Sequence, residues 1–219
     1  MNWTIMQSYW PLFLAAAGVT LRISFFGILL AVILGMVISL IQYAKIPVLR
    51  QIASVYIELS RNTPLLVQLF FIYFGLPKLG VVLSGEASAI AGVVFLGGSY
   101  FAENFRSGLE AVAVSQKESA LSLGMSGAQA MRYVILPQAL RVALPGFFAN
   151  VIFLIKETSV VSAIAVPDLM YVAKDLMGND YRTAEALGML VIFYLIIILP
   201  VTILAYVLER RLRYGKVRH

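Results

Sequence analysis

An all-α membrane protein of about five transmembrane helices is predicted by three features of the 219-residue sequence. Hydrophobic residues make up 61% and charged residues 13%, with a mean hydropathy of +0.89, whereas soluble domains carry about a quarter charged residues. Uncharged apolar runs recur at lengths approaching the roughly 20 helical residues that a hydrocarbon core demands. A polar stretch, SQKESALSLGMSGAQAMRYVILP at residues 115–137, interrupts them and carries helix caps of its own.

The first span is expected over residues 23–41, an uncharged run preceded by a segment without Lys or Arg. Arg22, near its outer end, is expected to snorkel. A short loop with Lys45, Pro47 and Arg50 leads to span two, residues 52–74, which carries Glu58 and Arg61 and should kink at Pro64. Pro77, Gly80 and Gly85 form a turn into span three, residues 87–106, whose Ala91, Gly92, Gly97, Gly98 and Ser99 permit close helix approach. In the polar stretch, Ser115 with Glu118 reads as one capping box and Ser126 with Gln129 as a second, Gly124 ending the first helix. Its second helix should stop near Leu136, because Pro137 disfavours helical geometry in the residue before it. Span four begins near Val142 and runs through Lys156 and Glu157; residues 167–183 form a loop with a short helix; span five covers 187–207 with Pro200 inside; a basic tail closes the chain.

Five spans place the termini on opposite sides. A cytoplasmic tail leaves eleven Lys and Arg residues inside against three outside, Lys78, Lys174 and Arg182, so the N-terminus is expected outside and the C-terminus in the cytoplasm, with the polar hairpin cytoplasmic as well. The same placement explains the +6 net charge as a membrane signature, leaving no role for nucleic acid. A DNA-binding hairpin would need a third helix and a basic recognition face. The absence of cysteine and the single terminal His219 exclude thiolate and imidazole chemistry, and no Ser/His, Asp/Asp or metal-ligand set suggests an enzyme. No cationic segment precedes the first apolar run, so a cleaved signal peptide is not expected. Residues 1–219 read as one domain.

Glu118-Ser119-Ala120 followed by Gly124 and by Val134-Ile135-Leu136-Pro137 resembles the "EAA" signature of permease subunits of ABC importers, with Ser119 where Ala is usual. Arg61-Asn62-Thr63-Pro64-Leu65-Leu66-Val67-Gln68, Glu103 to Leu109, Leu136 to Arg141 and Lys156 to Ser159 extend the likeness over nearly the whole chain, to the polar amino-acid branch. Asn62 stands where Gly is usual. The resemblance implies a subunit of a prokaryotic cytoplasmic membrane, working with a second permease subunit, cytoplasmic ATPases and an extracytoplasmic solute-binding protein. It also implies that the hairpin, with Glu118, Ser119, Ala120, Gly124 and Pro137, docks on the ATPase. The chain lacks a P-loop, so ATP and Mg would be bound by that partner, and no cofactor is expected here. A stand-alone carrier or channel is the competing reading; it would favour an inverted repeat, which is absent, and has no use for the hairpin.

Ionisable residues inside a membrane demand partners. Glu58, Arg61 and Gln68 lie within roughly an 80° arc of an ideal helix, and Ser99, Glu103 and Arg106 share a face of span three. Two such stripes suit an amino acid, whose carboxylate needs a cation or N–H donors and whose ammonium needs an anion. Asn62 and Thr63 are included because the kink should free N–H groups for a carboxylate, and Lys156 because it is an intramembrane cation. The alternative role for these groups is a structural ion-pair network. Glu58 and Glu103 favour a cationic substrate such as arginine, lysine or histidine.

Overall fold

The computed structural model describes residues 3–214, and every regular element among them is helical. Met1, Asn2 and residues 215–219, with Lys216 and Arg218 of the basic tail, lie outside the described residues. The α-helices are α1 (Trp3–Tyr43), α2 (Pro47–Arg61), α3 (Leu65–Phe70), α4 (Gly85–Glu110), α5 (Val114–Ser122), α6 (Gly127–Ala130), α7 (Leu136–Glu157), α8 (Leu169–Asn179) and α9 (Thr183–Tyr214).

Among the described residues, three rods are long and apolar enough to cross a membrane: Trp3–Tyr43, Gly127–Ile164 and Thr183–Arg211. The 26 residues of α4 would also reach across, about 39 Å at the usual rise per residue. Their lower apolar content follows from position, since α4 is packed among α1, α2, α3 and α7 and contacts protein where an outer helix would contact lipid. Its small residues do what the sequence suggested. A Cβ on Gly97 would lie 2.8 Å from the Ala31 Cβ of α1 and one on Gly98 2.7 Å from Leu34 Cδ2, and the facing Gly35 of α1 would put its Cβ 2.5 Å from the Phe101 Cβ, so the α1–α4 crossing leaves room for hydrogen alone. Around it Ile23, Ala31, Val93, Leu96, Phe101 and Leu154 form a buried cluster.

The first helix is longer than its expected span, continuing back to Trp3. Its N-terminal half has an inner face, Met6, Phe13, Ala16 and Ala17, buried against α8 and α9, so tertiary packing extends the helix past the lipid-crossing length. Arg22 is not idle, because it pairs with Glu86 in the first turn of α4 at 2.5 Å, with both side chains at least one-third exposed. Such a surface pair contributes at most about 1 kcal/mol and serves mainly to fix register.

The hairpin differs from expectation at two points. Helix α5 begins at Val114, one residue before Ser115, and its N-cap Ala113 makes no side-chain bond, so the first capping box does not form. The second does: Ser126 Oγ accepts the Gln129 N–H, and Gln129 Oε1 accepts the Ser126 N–H. Gly124 (φ +83°) ends α5 in a left-handed turn in which its own N–H reaches Leu121 O and the Met125 N–H reaches Ala120 O. The larger departure is at Pro137, where no helix stops. Residues Met131–Ile135 form one wider turn of i→i+5 type, and α7 follows directly. That turn shifts the hydrogen-bond frame, so the N–H that Pro137 lacks is not missed and Leu136 stays helical (φ −59°, ψ −43°). The hairpin's second arm and the expected span four are therefore one continuous piece, Gly127–Ile164.

Between α7 and α9, the expected short helix is α8, capped by Asp168, whose Oδ1 accepts the Tyr171 N–H at 2.9 Å. Asp168 is fully buried and its Oδ2 has no hydrogen-bond partner. Burial raises its carboxyl to about 6, against the pull of the backbone N–H groups. The unfolded chain binds this proton only near pH 4. Stability from this group is therefore greatest at low pH and is lost as pH rises through about 6. Asp168→Asn keeps a capping oxygen and removes the buried charge, so it should raise the melting temperature at about pH 8, the gain shrinking as pH falls to about 5. A gain independent of pH would contradict this origin.

Candidate functional site

The second expected span is not kinked at Pro64 but broken there. Helix α2 ends at Arg61, and α3 starts after Pro64 at Leu65. A break exposes the last carbonyls of α2, and side chains satisfy them. Thr63 Oγ1 donates to Leu59 O at 2.7 Å, while Gln68 Nε2 donates to Ser60 O at 2.9 Å, to Thr63 O and to Thr63 Oγ1. The Asn62 N–H, expected to be freed by the kink, is held by Glu58 O at 3.1 Å. Gln68 is thus buried inside the break, away from the faces of Glu58 and Arg61, because the interruption destroys the single helical arc that united them. Ser99 is likewise fully buried, its hydroxyl 2.9 Å from that of Ser60 and donating to Leu96 O. Both residues hold α2, α3 and α4 together.

The ionisable stripes do meet. Arg106 grips Glu103 with two hydrogen bonds, Nε to Oε1 at 3.1 Å and Nη2 to Oε2 at 2.8 Å, and turns Nη1 to both oxygens of Glu110 at 2.9 and 3.0 Å. Arg61 approaches the same Glu103 Oε2 more loosely, at 3.5 Å, with its guanidinium 5.3 Å from the centre of the Tyr100 ring. Glu58 accepts the Asn62 side-chain N–H at 2.8 Å, and no cation among the described residues lies within 4 Å of it.

Two cavities flank this network. The larger, about 730 Å³, is bounded by the α1–α2 loop, the polar face of α2, the end of α4 and the base of the hairpin, and takes in Glu58, Arg61, Glu103, Arg106, Glu110 and Lys117. The smaller, about 400 Å³, lies at the break in the second span and is lined by Arg61, Asn62, Thr63, Tyr100, Phe153 and Glu157 among others. Its floor is a mixture of aromatic carbon, amide and hydroxyl groups with one cation and one carboxylate. Those groups can hold both ends of a zwitterion. Of the two adjacent charges at the end of α7, Glu157 faces this cavity, whereas Lys156 is exposed outside the lining of either. The expected set includes Lys156 and omits both Tyr100 and Glu157. The former had only its place beside Ser99 to single it out; for the latter, adjacent helical residues point about 100° apart, which separates them without saying which faces inward.

On the hairpin, Glu118 and Ser119 are exposed and Ala120 is buried on the opposite face of α5. Leu123, beside Gly124 at the tip, is 81% exposed, an apolar side chain with nothing over it. Pro137, in the first turn of α7, is also exposed. Gln138 ties the two arms, its Nε2 donating to Gln116 Oε1 and to Val134 O.

Residues 27–214 match the model of the family described as binding-protein-dependent transport system inner membrane component. The chain is 34% identical over 220 residues to the probable amino-acid ABC transporter permease protein PatM of Vibrio harveyi, covering 99% of each. It is 36% identical over 213 residues to the probable amino-acid permease protein YxeN of Bacillus subtilis, covering 96% of this chain and 95% of that one. The fold also superimposes on a crystal structure of an amino acid ABC transporter with histidines, with a TM-score of 0.89, 36% identity, and 96% and 99% of the two chains covered.

Proposed function

The chain belongs to the binding-protein-dependent transport system inner membrane components, among the amino-acid permeases of ABC importers, and on that premise we propose that it carries a polar amino acid across a prokaryotic cytoplasmic membrane. It does so as one of two permease subunits, driven by ATP hydrolysis in separate cytoplasmic ATPases that bind the ATP and Mg, and fed by an extracytoplasmic solute-binding protein. We take residues 1–219 as one permease domain with five spans: α1, the broken α2–α3 span, α4, the rod through α7, and α9. The N-terminus lies outside and the hairpin and tail in the cytoplasm.

The observation that carries the reading is the hairpin. Its tip pairs an exposed Leu123 with a left-handed Gly124, and its second arm runs without interruption into α7. A push on the tip by a closing ATPase is delivered along α7 to Phe153 and Glu157 in the smaller cavity. Glu118, Ser119, Ala120, Gly124 and Pro137 are assigned to this coupling element. Arg61, Asn62, Thr63 and Glu157 form the substrate-binding set of the smaller cavity; Arg61 offers the substrate carboxylate its cation, and Glu157 offers the ammonium its anion. Glu58 and Glu103 line the inner exit, while Lys156, outside both linings, has the weakest claim of the expected set. A cationic side chain is favoured by Glu58 and Glu157, which have no cation within 4 Å among the described residues, more than by Glu103, which two arginines already neutralise.

Co-purification tests the assembly directly. The chain should hold its cognate ATPase in a stable complex that a hairpin lacking residues 115–126 does not form. Equal retention of the ATPase by both would remove the docking role.

A further inference from the structure

Arg61 is the one residue common to the linings of the two cavities. Its side chain, 42% exposed, stands at their boundary with room to move. On one side is Glu103, at 3.5 Å, a distance that is long beside the 2.8 Å contact the same oxygen makes with Arg106. On the other is the smaller cavity, whose wall holds Glu157, a carboxylate with no cation within 4 Å among the described residues. If Arg61 leaves Glu103, that carboxylate is not stranded, because Arg106 still holds it through two hydrogen bonds. A buried charge that loses its partner is costly; here neither position of Arg61 imposes that cost on Glu103. The Tyr100 ring, 5.3 Å beneath the guanidinium, offers a surface over which the cation can pass. The backbone is suited to the motion too, since Arg61 is the last residue of α2 and the helix is interrupted immediately after it.

We propose that Arg61 is a two-position gate, closing the passage between the cavities when paired with Glu103 and opening it when drawn to the Glu157 side. This rests on the reading of the smaller cavity as the substrate site. A substrate carboxylate arriving there would pull the guanidinium away from Glu103, so that occupancy itself opens the way inward. Two discrete ion-pair positions supply the bistable element that a gate needs.

Because the chain has no cysteine, Val160→Cys, at a lining position outside the proposed binding set, places a single reporter thiol in the smaller cavity. The experiment uses the permease–ATPase complex in proteoliposomes, with a membrane-impermeant thiol reagent on the ATPase side and no amino acid present. Glu103→Gln, which removes the closed position, should speed modification by about tenfold or more, and Arg61→Ala should do the same. Glu157→Gln, which removes the open position, should slow modification below the rate of the reporter alone. Opposite responses to two isosteric changes are not expected of general loosening. If both carboxylate variants shift the rate in the same direction, or either leaves it unchanged, the gate is refuted. ATP-driven uptake by the reporter complex is measured in parallel: uptake with no rate response sinks the gate alone, and a rate response without uptake of any amino acid sinks the substrate assignment instead.

Discussion

The Glu118→Lys, Gly124→Val double variant is expected to hydrolyse ATP without transporting, with uptake reduced by about tenfold or more while the subunit still inserts and folds. Two independent physical effects combine in it. Gly124 sits at φ +83° with open space around its Cβ position, so the obstacle to valine is conformational and not a clash. A β-branched residue in the left-handed region costs about 1–2 kcal/mol or more, which offsets most of what the two turn bonds from Gly124 and Met125 contribute. The tip then unwinds and Leu123 loses its fixed direction. Glu118 is exposed on α5 and makes no cap with Ser115, so its reversal to lysine acts on the partner surface and not on helix stability. Each single variant should therefore show part of the loss, with Gly124→Val also lowering hairpin protection in hydrogen exchange. Full transport by the double variant would remove the hairpin from the coupling path.

The second large effect is expected at Glu103. Its carboxylate anchors the Arg106 fork, and Glu103, Arg106 and Glu110 join the end of α4 into one charged run. Glu103→Gln keeps the shape but leaves the fork of Arg106 facing a neutral amide. With about one-quarter to one-third of both side chains exposed, the loss should be about 2 kcal/mol, or roughly 4–8 °C in melting temperature for a chain of this size. Glu58→Gln should change melting little, since the Glu58 carboxylate takes one amide N–H and no cation. Substrate affinity should respond in the reverse order for a cationic amino acid. Melting scans of the purified complex, with binding measured on the same samples, separate the two residues. Equal melting temperatures for the Glu103→Gln and unaltered proteins would contradict the structural weight placed on the Arg106 pair.

Much of this architecture is legible in residue pattern alone. Long uncharged runs give the outer rods, the small residues from Ala91 to Ser99 give the close α1–α4 crossing, and Ser126 with Gln129 gives a cap that forms as read. What escaped has identifiable physical causes. Local rules treat Pro137 as a stop, but a single wide turn upstream absorbs the missing N–H, and that is a cooperative property of residues 131–137 that no one residue signals. Ser115 satisfies a cap pattern by spacing, yet the chain enters the helix one residue earlier. An ideal-helix projection puts Glu58, Arg61 and Gln68 on one arc, whereas Pro64 ends the helix and turns Gln68 into the plug of its own break. The pairing of Glu103 with Arg61 and Arg106 was legible as chemistry. Which of the two arginines holds it firmly depends on distances of a few tenths of an ångström, and those are set by packing.

The most direct measurement of the central claim is uptake of labelled polar amino acids into proteoliposomes containing the permease–ATPase complex, with the solute-binding protein outside and ATP inside. Arginine, histidine, lysine and glutamine should be compared in parallel. Accumulation of at least one that requires ATP, the binding protein and an intact hairpin is the result expected of an importer subunit. Equal uptake by the permease chain alone, without ATPase or ATP, would make it a self-sufficient carrier and contradict the account.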